Sequence, residues 1–498
     1  MKNISALLYI LLLSSITAIG QLRLGEINTG PTASVIQTYN GGYALSGGGY
    51  WAVIELDSNG TLNWTKTIVA VTGQNFSNSL VQTKDKGYVA LGSGSSFSGM
   101  SLTKLDVNGN LKWSKNIPVK AGSYTFGVYG SSMVHANDGG FLLGGSSDSA
   151  MYIVKTDSVG NIKWSCTHSG DIYSVIQTSD GGFAASGYSG LSNGISEGAI
   201  VAKLDSAGKS QWTDNINIFG VPGLVGASIT QALDNGYFVT ASCPYGLNGK
   251  IAYKMYVIKL DSLGHLKWNR HISRDQNDWG FSIIVTKDGG CVIAGEDYAT
   301  DHPYAVRLDS AGNLIWDRTY LGQTGSTYSV IQTKDYGFAL VGEIFIKVDS
   351  MGNSCQATGY GGSTITSDTL VVTKGNNMAY TSVGIASVNS ATLDTSTGSI
   401  TSICQIVSVE DINAQASSLA VFPNPGNGKF QLRINNYELG INSIVEIYNM
   451  LGEKVYSQAN ESEYIVIDIG NQLNGVYLYR VLAKDGSLVG SGKLVIQK

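Results

Sequence analysis

Proline, histidine, cysteine and charge are all scarce in this chain, and each shortage closes off a class of protein. Seven Pro among 498 residues, set against 63 Gly and only 14% charged residues, suit many short strands joined by tight turns rather than helices or disorder. The net charge of −5 is spread out. No run of Lys and Arg exists that would neutralise a row of phosphates, which excludes nucleic acid as an expected partner and disfavours anionic membrane surfaces. The five His (His135, His168, His265, His271, His302) form no His-x-x-x-His or His-Glu pair, and no Cys-x-x-Cys occurs, so no metal site assembles locally and no cofactor is expected. Gly-x-Ser-x-Gly and a phosphate-cradling Gly-rich loop with Lys are missing too. Apolar runs are short throughout, with nothing long enough to span a bilayer as a helix. The first 20 residues read as a secretory signal: Lys2 gives the positive end, Ala6 to Leu13 the apolar stretch, and Ala18-Ile19-Gly20 a small-residue cleavage site before Gln21. Five Cys leave an odd thiol. Cys166, Cys243 and Cys291 fall in separate repeats as core residues, whereas Cys355 and Cys404 flank one segment and are candidates to close it as a loop.

What the chain has in abundance is one phrase, repeated seven times. Ser34, Ser79, Ser132, Ser174, Ser228, Ser282 and Ser329 each open an apolar stretch, and Asp-x-x-Gly turns follow from Asp57, Asp106, Asp157, Asp205, Asp261, Asp309 and Asp349. Six of those turns lead to Trp64, Trp113, Trp164, Trp212, Trp268 and Trp316, spaced 48 to 56 residues apart. That is the period of a propeller blade. In the fourth copy Ser174–Thr178, Phe183–Tyr188, Ala199–Asp205 and Lys209–Ile216 read as four strands of a meander, with Gly at turn positions and Asp capping its own turn. Such a sheet exposes both faces, so it must stack on neighbours, and a circular stack removes the exposed ends. The seventh copy stops at Gly352 without its Trp strand, while Leu22 to Ile27 matches that strand with Leu24 in place of Trp. The spacing therefore predicts an all-β chain whose residues 21–353 form a seven-bladed β-propeller closed by its own N-terminal strand.

The Trp residues are expected as wedges between blades. Basic residues two positions before most of the turn Asp (Lys104, Lys155, Lys203, Lys259, Arg307, Lys347) are expected to be solvated or paired with a neighbouring blade, with Glu55 the exception in the first copy.

Variable connections gather on the face that receives the links between strands two and three and between successive blades, which is where repeat proteins bind. Leu191 to Glu197, Pro244 to Lys250, Ser273 to Trp279 and Asp297 to Tyr304 are the unusual loops there. Tyr245, Asp278, Trp279, Tyr298 and His302 on these loops, with Tyr124, Tyr129 and Tyr188 nearby, are the candidate ligand-binding residues. Aromatic faces beside polar groups suit sugars or protein loops. A rival reading is a polysaccharide hydrolase or lyase whose carboxylates come from separate blades and meet at the axis. Lys203 to Trp212 resembles the Trp-docking motif of quinoprotein-type propellers, and Thr178 to Phe183 is similar to the Asp-box turn of sialidase-like propellers. Both resemblances concern blade construction, and neither activity is carried over.

Residues 354–412 are rich in Ser, Thr and Gly and are expected to form a linker. Residues 413–498 then show alternating runs at 419–422, 429–434, 443–448, 454–457, 464–469, 476–482 and 488–496, the pattern of a small β-sandwich. Val421-Phe422-Pro423-Asn424-Pro425 with Gly428, Val445 to Gly452, Leu473-Asn474-Gly475-Val476-Tyr477 and Gly492-Lys493-Leu494 resemble the type A C-terminal sorting domain of type IX secretion cargo, an Ig-like fold. The resemblance implies a partner in the type IX machinery, export to the outside of a Gram-negative bacterium, and release or attachment to surface lipopolysaccharide after tail removal. Asp-Ser-apolar triplets such as Asp157-Ser158-Val159 are similar to the periplasmic O-glycosylation acceptor of the same bacteria.

Overall fold

The computed structural model describes residues 24–27, 32–47, 52–69, 77–93, 99–118, 129–147, 150–189, 191–192, 195–196, 198–218, 224–247, 250–273, 278–297, 300–320, 325–354, 358–360, 363–367, 369–374, 379–380, 387–388, 392–394, 400–402, 419–434, 443–449, 453–460, 464–482 and 488–498. Among the described residues every regular element is a strand. The expected signal peptide, and Cys355 and Cys404, lie outside the described residues. The chain divides into two units, Met1–Cys404 and Gln405–Lys498.

The first unit contains seven five-stranded sheets among its described residues. The fourth sheet shows the pattern: Asp171–Gln177, Phe183–Tyr188, Ala199–Leu204 and Ser210–Ile218 pair antiparallel in sequence order. Consecutive sheets share apolar cores, as where Ile200 and Ala202 of the fourth pack with Ile153 and Cys166 of the third. One such core joins Ala339, Val341 and Phe345 of the seventh sheet to Val35, Leu45 and Ile54 of the first, so the ring is closed. A backbone ladder closes it as well: Leu24–Ile27 lies antiparallel on Ile344–Val348, with Leu24 opposite Ile346, and so adds to the seventh sheet from the other end of the chain.

Each Trp expected as a wedge sits against the turn Gly of the next sheet. A methyl group built on Gly208, where φ is +83°, would lie 2.7 Å from the Trp164 ring, and the equivalents Gly109, Gly160, Gly264, Gly312 and Gly352 face Trp64, Trp113, Trp212, Trp268 and Trp316 at 3.0–3.3 Å. The turn therefore needs Gly twice over, for its left-handed backbone and for the approach of the ring. The Asp of each turn accepts two backbone N–H groups, as Asp205 does from Ala207 (2.9 Å) and Lys209 (2.8 Å).

The basic residues differ from expectation. Lys104, Lys155, Lys203, Lys259 and Lys347 are neither solvated nor paired across blades; these five, and Arg307, which also donates to the Ser350 carbonyl in the turn of the next sheet at 2.7 Å, reach back within their own sheets to the Asp of the first turn, at 2.6 to 2.9 Å from Asp85, Asp138, Asp180, Asp234, Asp335 and Asp288. Burial pushes these carboxyls up, but the ammonium and the turn N–H groups outweigh it and hold Asp85 and Asp180 at about 2. In the first sheet Asn40 replaces the Asp and Glu55 the Lys, and the buried Glu55 instead meets the Tyr88 hydroxyl of the second sheet.

Residues 354–412, expected as a linker, contribute strands to the ring up to Ser402. Seven short strands there add a fifth, outermost strand to every sheet: Thr358–Tyr360 on the sixth, Thr364–Thr366 on the fifth, Leu370–Lys374 on the fourth, Ala379–Tyr380 on the third, Ser387–Val388 on the second, Thr392–Asp394 on the first and Ile400–Ser402 on Leu24–Ile27 of the seventh. The segment circles the propeller backwards as a girdle and ends on the closing strand. Its polar composition fits this place, because an outermost strand needs only its backbone to pair and one face to pack. Leu370 and Val372 rest on the core between the fourth and fifth sheets, and Ile365 on that between the fifth and sixth.

In the second unit Leu419–Phe422, Lys429–Ile434 and Tyr464–Asp468 form one sheet, and Lys454–Asn460, Ser443–Tyr448, Gly475–Leu482 and Leu488–Ile496 the other. Inward alternate residues, among them Phe430, Leu432, Val445, Ile447, Ile467, Val481 and Leu494, make a single core.

Candidate functional site

The innermost strands meet around the axis of the ring, and the repeated Ser fastens them to one another. Ser34 Oγ accepts the N–H of Leu80 (3.3 Å), Ser79 that of Met133 (3.1 Å), Ser132 that of Val175 (3.2 Å), Ser174 that of Ile229 (3.4 Å), Ser282 that of Val330 (3.3 Å), and Ser329 that of Val35 (3.3 Å) across the closure. The residue before each Ser is a β-bulge, where the register slips by one: Ala33, Asn78, Ser131, Tyr173, Ala227, Phe281 and Tyr328. A bulge leaves one residue outside the ladder and re-aims its side chain. Six of these seven residues, from six different sheets, line one cavity of about 440 Å³ with Val225, Ser242, Trp279 and Gly280. Its lining includes Val225 and Trp279, the first and second residues of their inner strands, so it lies toward the end of the ring where those strands begin.

One arc of the wall is aromatic. Trp279 and Phe281 stack with ring centroids 5.8 Å apart and 18° between planes, and Tyr328 meets Phe281 at 5.2 Å and 50°. The rest is small: Ala33, Ser131, Ala227, Gly280 and Ser242, whose Oγ accepts the Gly280 N–H at 3.4 Å. Tyr173 adds a hydroxyl, and burial together with the Asp171 carboxylate and Tyr188 pushes its pKa up to about 12, so it stays a neutral donor. The Asp171 carboxyl is itself raised by burial, against the Ser146 hydroxyl bonded to it. None of the ten lining residues carries a carboxyl, imidazole, thiol or amine.

Of the residues expected to bind ligand, Trp279 stands in this wall and Tyr188 lies beside Tyr173. Asp278 is buried opposite Asp297, which faces His302 on its other side; these belong to the body of the sixth sheet rather than to the cavity. Asp278 and Trp279, expected on a loop, are the first residues of the inner strand Asp278–Val285. Tyr245 sits in a long hairpin, Tyr237–Leu247 with Lys250–Leu260, where a loop is expected at 244–250; the register runs unbroken to Leu247 opposite Lys250. Tyr129 opens the inner strand of the third sheet, opposite Ser146. Tyr124 and Tyr298 lie outside the described residues. Phe281, Tyr328 and Tyr173 are absent from the sequence reading. Their signal was available: the position before the repeated Ser is aromatic in three of the seven copies and small or polar in the others, while the Ser itself does not change.

The residues of the sorting motif cluster at one end of the second unit. Asn424, between Pro423 and Pro425, donates to the Lys493 carbonyl (2.7 Å) and accepts the Val495 N–H (2.8 Å), clipping the entering strand to the last one. Gly428, at φ +103°, would place a methyl 2.5 Å from Gly470 Cα. The Tyr477 hydroxyl donates to the Leu473 carbonyl at 2.9 Å, after Gly475 opens the strand. Lys493 is exposed, and Gly452 lies outside the described residues.

The first unit thus has the architecture of a β-propeller. Residues 420–497 match the family model described as a secretion system C-terminal sorting domain. The chain therefore carries a type IX sorting tail, the mark of a secreted or cell-surface protein that engages the type IX secretion machinery. Among solved structures it is similar to a catalytically inactive virginiamycin B lyase from Staphylococcus aureus with quinupristin (10% identity, 66% of this chain and 99% of that one, TM-score 0.46). It is also similar to YCF48 bound to D1 peptide (11% identity, 67% and 98%, TM-score 0.45) and to PorZ, a surface component of the type IX secretion system of Porphyromonas gingivalis (11% identity, 92% and 58%, TM-score 0.36). None of the curated proteins compared matches. No helix among the described residues is long and apolar enough to cross a membrane.

Proposed function

We propose that this secreted propeller is a binding module that takes its ligand, a glycan or a protein loop, in the axial cavity. The observation that carries the reading is the wall itself: three stacked or tilted aromatic rings and a set of hydroxyls converge on about 440 Å³. That volume falls in the range of about 300–1,000 Å³ usual for ligand pockets. The rival hydrolase needs two carboxyls facing a substrate. Among the described acids, Asp278 and Asp297 are buried in the sixth sheet at 1% and 0% exposure, and Glu296, opposite Trp279 and bonded to Asp301, has its carboxyl raised by burial; none of the four is among the residues lining the cavity. Residues 1–20 act in this reading as a signal peptide, the tail delivers the protein across the outer membrane, and the mature chain is released or held on surface lipopolysaccharide.

Screening the mature full chain against a glycan array and against a peptide library tests the proposal. Truncating a central aromatic anchor costs about 2 kcal/mol or more, so any ligand found should lose at least tenfold in affinity on Trp279→Ala and on Tyr328→Ala. Ligands indifferent to both substitutions would place binding elsewhere and overturn the reading.

A further inference from the structure

Folding gathers a charged surface that no stretch of the sequence contains. Each inner strand ends in a turn into strand two, and a terminal Gln fastens the turn of the preceding sheet in three consecutive steps: Gln332 Oε1 accepts the Lys287 N–H (2.9 Å), Gln37 that of Lys334 (2.9 Å) and Gln82 that of Tyr39 (2.8 Å). The turns of the sixth, seventh, first and second sheets therefore make one continuous arc around the axis, at the end of the ring where the inner strands finish. Lys287, Lys334, Lys84 and Lys86 stand exposed on this arc, with Tyr336 and Tyr39 among them at 60% and 57% exposure. Lys287 Nζ lies 4.0 Å from the centre of the Tyr336 ring, and Lys334 Nζ donates to the Tyr39 carbonyl at 3.4 Å. Among the described residues none of the four Lys is ion-paired. The Asp in each of their turns, Asp85, Asp288 and Asp335, is bonded instead to Lys104, Arg307 and Lys347 of its own sheet. The arc thus carries four positive charges without a counter-charge. His135, on the third sheet beside its end, registers them: burial lowers its pKa first, and Lys84 and Lys104 lower it further. In the third, fourth and fifth sheets Asn137, Ser179 and Leu233 hold the place of Lys84, Lys287 and Lys334, so the charge forms a crescent rather than a full circle.

The crescent selects its occupant by charge spacing and by width. An exposed Lys is a hydrated point charge without the fork of Arg, and one such contact contributes little by itself. A small anion is therefore not held, whereas a polymer with repeated anionic groups engages several Lys at once. Width is limited by the outer turns of the same four sheets, which carry Asp57, Asp106, Asp309 and Asp349, each accepting two backbone N–H groups. Among the described residues only Asp106 of these four is ion-paired, with Lys112 at 3.8 Å. A nucleic-acid duplex or a flat anionic membrane would press its charge against these carboxylates. A single narrow chain lying along the inner arc meets the Lys instead. The exposed Tyr rings offer flat apolar faces beside the charges, which suit the face of a sugar ring.

We propose that the crescent of Lys84, Lys86, Lys287 and Lys334 with Tyr39 and Tyr336 is a second binding surface, separate from the axial cavity, and that it holds a single-chain acidic polysaccharide with anionic groups repeated along its length. Binding is electrostatic in the main, so it weakens with salt, and the Tyr faces separate a sugar chain from other polyanions.

The test uses the mature full chain and end-labelled hexasaccharides of galacturonate, mannuronate and chondroitin sulfate, read by fluorescence anisotropy beside neutral maltohexaose, a single-stranded thymidine oligonucleotide and vesicles of anionic phospholipid. The expected result is saturable binding of at least one acidic hexasaccharide, weakened about tenfold between about 50 and 300 mM NaCl. The triple variant Lys84→Glu/Lys287→Glu/Lys334→Glu should lose about tenfold or more, and Tyr39→Ala about threefold. Lys209→Glu, on an outer turn of the fourth sheet, and Trp279→Ala, in the cavity wall, should each change the affinity by less than about twofold. Maltohexaose should respond neither to salt nor to the triple variant. The proposal is overturned if no acidic hexasaccharide binds, or if the triple variant binds as the native chain does. Loss in Trp279→Ala in place of the triple variant would move the acidic sugar to the cavity, so that the crescent falls and the cavity stands. An oligonucleotide or vesicle that binds as tightly as the best hexasaccharide, and is released by the same triple variant, overturns the assignment to a polysaccharide. A native melting temperature shows that the triple variant is folded, and Lys84→Gln/Lys287→Gln/Lys334→Gln serves if it is not.

Discussion

A single Trp-to-Gly contact, used six times, does much of the work of joining sheets. Trp316 is 3% exposed, packs 5.9 Å from the Phe338 ring of the next sheet, and donates its indole N–H to the Ser350 carbonyl at 3.1 Å. Trp316→Ala removes both the ring and the bond, and a loss of about 3–5 kcal/mol is expected from urea unfolding. Gly208→Ala should cost more than about 1 kcal/mol, because a methyl group there both strains a backbone at φ +83° and meets Trp164 at 2.7 Å. The buried Lys and its turn Asp make a pH prediction with a definite sign. Asp85, Asp138 and Asp180 have carboxyls held below their ordinary value of 3.8 in the folded chain. Their contribution is fully present above about pH 4 and is lost as pH falls through about 2, where the folded carboxyls take up protons. The melting temperature should therefore drop between pH 4 and pH 2, and by less in Asp180→Asn than in the native chain. Equal drops in both would show that the pair at Lys203 is not the titrating element.

Strand edges govern the next scale. A propeller sheet ends in an outer strand whose backbone groups are open to pairing with any other chain. In this protein the girdle caps all seven edges. It is fixed by side chains as well as by the ladder: Thr366 Oγ1 meets His271 Nδ1 at 3.0 Å, Ser367 donates to the Asn269 carbonyl at 2.9 Å, and the Ser363 N–H reaches Asp317 at 3.3 Å. Val372→Pro would remove a donor from the longest girdle strand, Leu370–Lys374, and a side chain from the core between the fourth and fifth sheets. The expected result is faster amide exchange in Ser210–Ile218, read by mass spectrometry, with the inner strand Asp171–Gln177 unchanged. Exchange that rises throughout the ring would mean that the girdle strands act as one cooperative unit rather than edge by edge.

At the level of the whole molecule, the closing strand Leu24–Ile27 is held on both sides, by Ile344–Val348 from the seventh copy and by Ile400–Ser402 from the girdle. Both ends of the first unit are thus locked into one sheet. Ending the chain at residue 404 should leave the melting temperature of the propeller within a few degrees of the full chain, whereas ending it at 354, or deleting residues 22–27, should lower it sharply; calorimetry of the three variants decides. The seven-fold phrase, the Trp spacing and the displaced last strand were legible in the amino-acid order because they repeat, and repetition exposes what one local geometry demands of Ser, Gly and Trp. The sorting tail was legible through Pro423, Asn424, Gly428 and Tyr477, whose turns and clips have few chemical substitutes. Residues 358–402 were opaque for the opposite reason: a strand of two to five residues that borrows its ladder from a neighbour needs no periodic apolar pattern of its own. The cavity was half visible. Trp279 stood out in the sequence as an aromatic beside a variable connection, but Phe281, Tyr328 and Tyr173 looked like ordinary strand residues. Only the closing of the ring, with a bulge at each inner strand, brought six positions from six separate sheets to one cavity. Local chemistry, in short range and in copies, was set by the sequence alone; which side chains share a wall was decided by the circle.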